Sequence, residues 1–536
     1  MTSFHFVEYE PYGAATLEPS SEVRATAAPD EMVSASFGVH AATGVEELTI
    51  GASRLLDGAA IDLRIVKVWA QAGVGVYQSA RTLVPELLLE DDRVELRDAY
   101  SGWCGHWRHV LRRRRYYRPP SVGESGIAST ALNSGETKQV WLSVHVPRSC
   151  PPGVYEATIT ATAGRDTREL VFRLEVLPLT LAEATQDLFL WYKGTLDCEL
   201  PQHYVSESVF EAQLRDIYAH GFQSISLNEP RAEYRRRALE IAKRVGFRRN
   251  VVLSEPFDEA LEAEAYAPLT PVYYLSDELD ARGPSAVDHH VANWRDAKKA
   301  GARTMISLIN ASSARRFDAS GNIGHTPDVF SFYLPTNLRH FASGAASQGT
   351  YYYWLTHMEK PLVHRALAGA YLWRSGAAGI APYCYQHLPQ YPNSPFDDFD
   401  EWEPGFHVGQ ERRPFKDHMT TYPARAGSIP TLQWKGLSDG ITDLRYLTTL
   451  EAIISRATSS VSTPVREHAA KVRARTTAFL DRVSLDDVDI VSETNREPYR
   501  GITAGEFRAF REQMGRDASA LSASMQAEMG NAGASV

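Results

Sequence analysis

From residue 186 onward the chain alternates short apolar runs with segments of helical spacing, and this alternation restricts its fold more than any other feature. Strand-like runs fall at 188–192, 224–227, 251–253, 272–276, 304–309, 329–334, 351–355 and 380–385. Helical spacing is read at 207–220, 232–245, 259–266, 285–300 and 363–373, and the series closes on a helix at 440–456. About eight strand–helix units over roughly 250 residues are what a (β/α)8 barrel requires. A doubly wound sheet competes with this reading, and the count favours a TIM-like barrel. Residues 1–180 have another texture: β-branched and apolar runs at 61–68, 139–146 and 169–176, punctuated by Gly, Pro, Asn and Asp, predict a β-sandwich. There VWLSVHVPRSCPPGVYEATITATAG reads as two strands joined by a turn on Pro151, Pro152 and Gly153, and Pro178 ends the last strand. Amphipathic helices are expected at 465–483 and 504–528. The expected organisation is a multidomain chain: a β-sandwich at 1–180, a (β/α)8 catalytic barrel at 185–457 and a C-terminal helical extension at 458–536.

Composition narrows the function. With 66 acidic against 56 basic residues the net charge is −10, which disfavours nucleic acid as a partner because phosphate neutralisation needs a basic face. The basic and aromatic run at 108–120, RHVLRRRRYYRPP, is local and reads more readily as a solvated strand or interdomain contact than as a nucleic-acid or anionic-glycan site. The opening MTSFHFVEYEPYG has neither a basic n-region nor an apolar run, and no stretch approaches the ~20 apolar residues of a membrane helix, so a cytoplasmic location without a membrane partner is expected. Cys104, Cys150, Cys198 and Cys384 lie far apart without CxxC spacing, which argues against a zinc ribbon or a disulfide scaffold. His289 and His290 are adjacent without an HExxH motif, and P-loop, GxGxxG and GxSxG patterns are absent, so neither metal nor nucleotide cofactor is expected.

Barrel enzymes carry their chemistry at the C-terminal ends of the strands. Acids sit at four such places: Asn228-Glu229-Pro230, Ser254-Glu255-Pro256, Ser276-Asp277-Glu278, and His357 to Glu359. One acid at a strand end is often only solvated or a helix cap; four together form a pattern. Asp277 and Glu278 carry most weight, since YYLSDE is an aromatic strand running straight into two carboxylates. Both reach one pocket only if the strand ends or bulges there, because neighbouring side chains alternate faces. Glu278 is expected on the face of Tyr274 and Ser276, where aromatic surroundings favour a neutral carboxyl, as a general acid needs; capping of the helix near 285 is the alternative. Aromatic residues cluster at the same end: Trp191 and Tyr192 with Lys193, Tyr333, Tyr351 to Trp354, and Tyr383 and Tyr385 with Gln386. Such rings offer flat faces to the C–H faces of a sugar, or fill the barrel interior. The long loop after the eighth strand adds Asp397, Asp398 and Asp400, as sugar or cation ligands or as a solvated acidic segment. The expected partner is a carbohydrate, and the reading admits a homo-oligomer.

A β-sandwich closing on QVWLSVHVPRSCPPGVYEATITATAG, an aromatic strand ending in Asp277-Glu278, then LAGAYLWRSGAAGIAPYCYQH and TTYPARAGSIPTLQWKGLSDGITDLRYLTTLE together resemble the glycoside hydrolase family 123-like proteins and their uncharacterised relatives, over residues 20–456. The most specific part is the last, where Trp434, Asp439, Gly440, Asp443, Tyr446 and Leu447 match a (D/E)GxxDxxYL helix; this signature is structural. Characterised members are exo-acting N-acetyl-β-galactosaminidases, so the resemblance implies Glu278 as general acid and Asp277 as the residue that holds the substrate's own acetamido group as nucleophile. Leu279 stands where that family usually has proline. A second mechanism stays open, with Glu278 as acid/base and Glu359 as direct nucleophile of a retaining enzyme. Asn228-Glu229-Pro230 imitates the acid/base motif of such enzymes but follows the second strand, and is read as a pocket or structural element. A non-catalytic carbohydrate-binding protein on the same fold is the third reading.

Overall fold

Alternation of buried and solvent-facing residues builds the first part of the molecule. In the strand Asp166–Val176, Leu170, Phe172, Leu174 and Val176 are buried while Val171, Arg173 and Glu175 between them are partly exposed. The computed structural model describes residues 3–57, 59–71, 82–94, 96, 99–101, 116–118, 122, 125–200, 203–253, 266–281, 303–314, 327–344, 349–356, 360–388, 396, 418–486, 499 and 501–533. Within them a six-stranded sheet (Ala15–Pro19, Phe4–Tyr9, Met32–Ala41, Thr137–His145, Ile61–Gln71, Thr82–Leu89) faces a five-stranded one (Ala128–Leu132, Val45–Ala52, Gly153–Ala163, Asp166–Val176, Glu22–Ala27). Phe37, Val39 and Leu142 of the first sheet meet Ile50, Ile159 and Phe172 of the second in one apolar core.

Eight short parallel strands then close into a barrel: Asp187–Leu190, Ser224–Leu227, Asn250–Leu253, Thr270–Ser276, Arg303–Leu308, Val329–Tyr333, Thr350–Tyr353 and Gly379–Ile380. The eighth returns to the first through the pairs Asp187–Gly379 and Leu188–Ile380. The expected (β/α)8 architecture is overturned: the eight strands close into a parallel barrel, but among the described residues a helix does not follow every strand. Helices Glu207–Ala219 and Ala232–Val245 follow the first two. Among the described residues, strands three to six are followed only by the 3-10 turns Leu279–Ala281, Ala311–Ala314 and Leu334–Thr336 and the five-residue helix Leu338–Ala342. Of the helical segments expected at 259–266 and 285–300, all but Tyr266 lies outside the described residues. The long helices are mostly C-terminal: Leu432–Thr458, Thr463–Leu480 and Ala504–Gly533. Apolar runs disclose strands, whereas the connections between them depend on local turn chemistry, as at Pro335, which opens a 3-10 turn. Among the described residues no helix is long and apolar enough to cross a membrane.

The DGITDLRYL segment lies in the middle of Leu432–Thr458 and packs backbone to backbone on the helical stretch beginning at Pro361. A Cβ on Gly440 would collide with the Arg365 carbonyl, and one on Gly369 would come within 2.7 Å of the Gly440 carbonyl oxygen. That closeness requires glycine. Asp443 accepts from Arg365 Nε at 2.7 Å and from Arg511 Nε at 2.6 Å, and Asp439 accepts from Arg511 Nη1 at 3.0 Å and from the Tyr12 hydroxyl at 2.7 Å. Tyr446 donates to Glu31 Oε2 at 2.7 Å. The signature residues thus join the barrel to the N-terminal sheets and to the last helix.

Candidate active site

Inward-facing residues of the barrel strands form one cluster: Phe189, Trp191, Val252, Val272, Met305, Val329, Tyr351 and Tyr353 fill the interior, and Tyr274, Tyr333 and Tyr383 are half-buried against it. Trp191 packs edge-on to Tyr274, with ring centroids 4.6 Å apart, and lies 6.4 Å from Tyr383. Tyr333 and Tyr353 approach to 5.3 Å. Trp191 is only 8% exposed, so it is the floor of this end of the barrel, and the half-buried tyrosines are its open ring faces.

Asp277 and Glu278 follow directly on the fourth strand, Thr270–Ser276. The pairing of that strand with the fifth shifts register between Tyr274 and Ser276, and this bulge breaks the strict alternation of faces at the strand end. Asp277, not Glu278 as strict alternation predicts, lies on Tyr274, whose hydroxyl donates to Asp277 Oδ1 at 2.6 Å. Glu278 turns through φ +45°, a left-handed backbone uncommon outside glycine, and accepts from the Tyr353 hydroxyl at 2.8 Å. Adjacent carboxylates are thereby held by two tyrosines of the same cluster. Burial, and then the neighbouring carboxylates, push both tyrosines far above the ordinary phenol range, so both remain donors. Asp277 is exposed and Glu278 half-buried.

The loop behind the pair is fixed by residues that pattern reading did not find. Asp280 accepts from the backbone N–H groups of Ile309 and Asn310 at 2.8 and 2.9 Å, and Leu279 is fully buried. Asn337 accepts from Ala311 N at 2.6 Å and donates to the carbonyls of Ile309 and Tyr333 at 2.8 and 2.7 Å. The ends of strands four, five and six are so tied together. A signal for Tyr274 and Tyr353 existed in the alternation itself: if Tyr353 points in, Trp354 points out.

Several expected cleft residues are indeed turned away. Tyr192, Trp354 and Tyr385 are fully buried behind the barrel wall, donating to Gln213 Oε1 (2.7 Å), His364 Nδ1 (3.1 Å) and Asp216 Oδ2 (2.7 Å) respectively. Gln386 is buried on Thr421 and Gln213. These four hold the wall to its surroundings; adjacent residues cannot all face the axis. Glu229 is 2% exposed and clamps the loop after the first strand, accepting from Thr195 Oγ1 and Leu196 N, both at 2.7 Å; Asn228 beside it is half-buried. Lys193 places its ammonium over the Tyr383 ring, 5.9 Å from the centroid. Glu255, His357, Glu359, Asp398 and Asp400 lie outside the described residues, as do Asp397, His289, His290 and nearly all of the run 108–120.

Burial, and to a lesser extent Asp197, raises the Glu229 carboxyl to about 7. A carboxyl whose folded value lies above its unfolded one stabilises the fold below the unfolded value and loses that advantage as pH rises through the folded one. Glu229→Gln keeps an acceptor for Leu196 N and a donor for Thr195 Oγ1. The variant is therefore expected to gain on the native chain between pH 4.5 and 7 by up to about 3 kcal/mol, and urea melts across that range check it.

The fold is similar to that of a family 123 glycoside hydrolase from Clostridium perfringens, described in work on glycolipid glycan hydrolysis, with 10% identity, a TM-score of 0.61, and coverage of 97% of this chain and 100% of that one. Apo β-glucuronidase 3 from Bacteroides uniformis aligns at 9% identity over 83% of this chain and 52% of its own, with a TM-score of 0.29, too loose a likeness to carry an argument. No protein-family model matches the chain, and no curated protein matches it in sequence. The resemblance read from the motifs holds at the level of the fold.

Proposed function

We propose that this chain is a glycosidase in which Glu278 protonates the leaving oxygen and Asp277 orients a 2-acetamido group of the substrate. The observation that carries this is the adjacent carboxylate pair at one mouth of the barrel, each member held by a tyrosine hydroxyl of the aromatic cluster. Mouths of barrels are frequent ligand sites, and half-buried tyrosine rings suit the apolar face of a pyranose. The overall likeness to a family 123 enzyme supports the same reading. In the first step the Glu278 proton passes to the glycosidic oxygen as the C1–O bond breaks, and the acetamido carbonyl oxygen bonds to C1. Asp277 accepts from the acetamido N–H, so positive charge on the resulting oxazolinium ion is met by a carboxylate. Water then attacks C1 as the bond between C1 and the acetamido oxygen breaks, restoring the acetamido group, while Glu278, now ionised, takes the water's proton.

Hydrolysis of 4-nitrophenyl N-acetyl-β-hexosaminides beside their 2-hydroxy parents tests this. The 2-acetamido substrates are expected to be preferred, and Asp277→Asn to lower their kcat by roughly 100-fold or more, as loss of a charge aimed at the transition state does. Equal turnover of both classes would instead favour direct attack by a carboxylate such as Glu359. Binding without turnover would favour a carbohydrate-binding protein.

A further inference from the structure

We propose that Lys193, with His387 and His418 against Tyr383 and His203 against His387, forms a cationic subsite at the barrel mouth, and that the sugar bound there carries an anionic substituent, a carboxylate or a sulfate ester. The proposal rests on the glycosidase reading only in taking the bound molecule to be a sugar. Lys193 leaves the first strand two residues after Trp191. Trp191 touches Tyr274, the partner of Asp277, on one side and approaches Tyr383 on the other, so the ammonium and the acid pair belong to opposite parts of one rim.

Two distant segments converge on that place. Thr195 N donates to the His203 carbonyl at 3.0 Å, which sets His203 in the loop clamped by Glu229. His387 N donates to the His418 carbonyl at 3.1 Å, and the two imidazoles stack 5.9 Å apart at 10°. Tyr383 lies 5.9 Å from His387 and 5.3 Å from His418, and His203 lies 5.5 Å from His387. Burial, and then the positive charge of Lys193, bring His387 down to about 4. Burial, His387 and Lys193 together hold His203 well below the ordinary imidazole value. At neutral pH these two rings are uncharged, each with one N–H to donate, and Lys193 supplies the charge.

The acids closest in sequence are already engaged. Asp197 and Glu199 pair with Arg231, and Glu229 is held by Thr195 and Leu196. Among the described residues Lys193 has no ion-pair partner. Lys193 is half-buried with its ammonium over an aromatic ring, and a ligand oxyanion would pair with that charge. The same charge repels a metal ion, and among the described residues no group of three His, Cys, Asp or Glu side chains is arranged to hold one. Two carboxylates at one side and an ammonium at the other also fix orientation, since an anionic substituent is repelled by the first and drawn to the second.

Paired substrates test the subsite: a 4-nitrophenyl N-acetyl-β-hexosaminide against its 6-sulfate, and a 4-nitrophenyl β-glucoside against the β-glucuronide, with the native chain, K193M and K193R. The native enzyme is expected to prefer the anionic member of one pair. K193M should lower the anionic-to-neutral ratio of kcat/KM roughly 10- to 100-fold, the effect of losing one charge-assisted hydrogen bond, and K193R should keep most of it. The pair that responds separates sulfate from carboxylate recognition. Turnover of neutral members with a ratio near one, or a ratio unaffected by K193M, overturns the subsite and leaves the glycosidase reading intact. If the native chain hydrolyses none of the four, that reading fails by itself, and titration calorimetry with the same glycosides decides the subsite. Tighter binding of an anionic member, lost in K193M, then upholds it, and equal binding overturns it.

Discussion

Glu278→Gln is expected to lower kcat on alkyl glycosides by about 10²- to 10⁴-fold, the usual contribution of a positioned general acid. The substitution is close to isosteric, and its amide oxygen still accepts from the Tyr353 hydroxyl that lies 2.8 Å from Glu278 in the native chain. Substrate affinity and fold should therefore change little while the transferable proton is gone. The leaving group supplies the diagnostic. A 2,4-dinitrophenyl glycoside departs without protonation, so the loss should shrink steeply as leaving-group pKa falls, whereas a merely structural role for Glu278 would depress all substrates alike. Steady-state kinetics over a series of aryl leaving groups separates the two. Tyr353→Phe should reproduce a small part of the effect, by removing the donor that orients the acid.

The eight strands were legible because each is a short apolar run, and Thr270–Ser276 pointed to its own terminal acids because Asp and Glu are out of place at the end of an aromatic strand. What joins the strands was legible only in part: helices stand where helical spacing is read at 207–220, 232–245 and 363–373. Between strands four and six the described connections begin with the short turns Leu279–Ala281 and Ala311–Ala314, and the helical spacing read at 285–300 falls outside the described residues. Aromatic content was read correctly as a cluster but not residue by residue. Trp354 and Tyr192 went to the outer wall because alternation sends them there, and the bulge after Tyr274 brings Asp277 as well as Glu278 to tyrosines of the inner cluster. The rings around Tyr383 were out of reach altogether. His203, His387 and His418 come from segments about two hundred residues apart, and neither spacing nor composition relates them before the barrel closes.

Arg511→Met is expected to cost about 3–5 kcal/mol of stability, the range for breaking a buried ion pair from one side. Arg511 is 8% exposed, and its guanidinium serves three acids: Asp443 at 2.6 Å, Asp439 at 3.0 Å and, more loosely, Glu31 at 3.7 Å. Burial alone would lower its pKa, but Asp443, Asp439 and Glu31 outweigh it and hold the cation well above its ordinary range. Asp439 is the reciprocal case: burial raises its carboxyl, yet Arg511 and Arg365 bring it below the usual value. With Arg511 gone, Asp443 keeps Arg365, but Asp439 retains the Tyr12 hydroxyl and Glu31 the Tyr446 hydroxyl, and neither neutral donor replaces a charge. The sign of the pH dependence follows. In the variant these carboxyls titrate higher in the folded than in the unfolded chain, so its stability falls as pH rises through their raised values. The native chain has its lowered Asp439 value and gains with pH at the acid end. The deficit of Arg511→Met should hence be greatest near pH 7 and shrink toward pH 5, as chemical denaturation at the two pH values would measure. Arg511→Lys should fall between, because one ammonium cannot reach Asp439 and Asp443 with the geometry of a guanidinium. A deficit below about 1 kcal/mol, or one independent of pH, would mean that the last helix is held to the barrel by its apolar contacts alone.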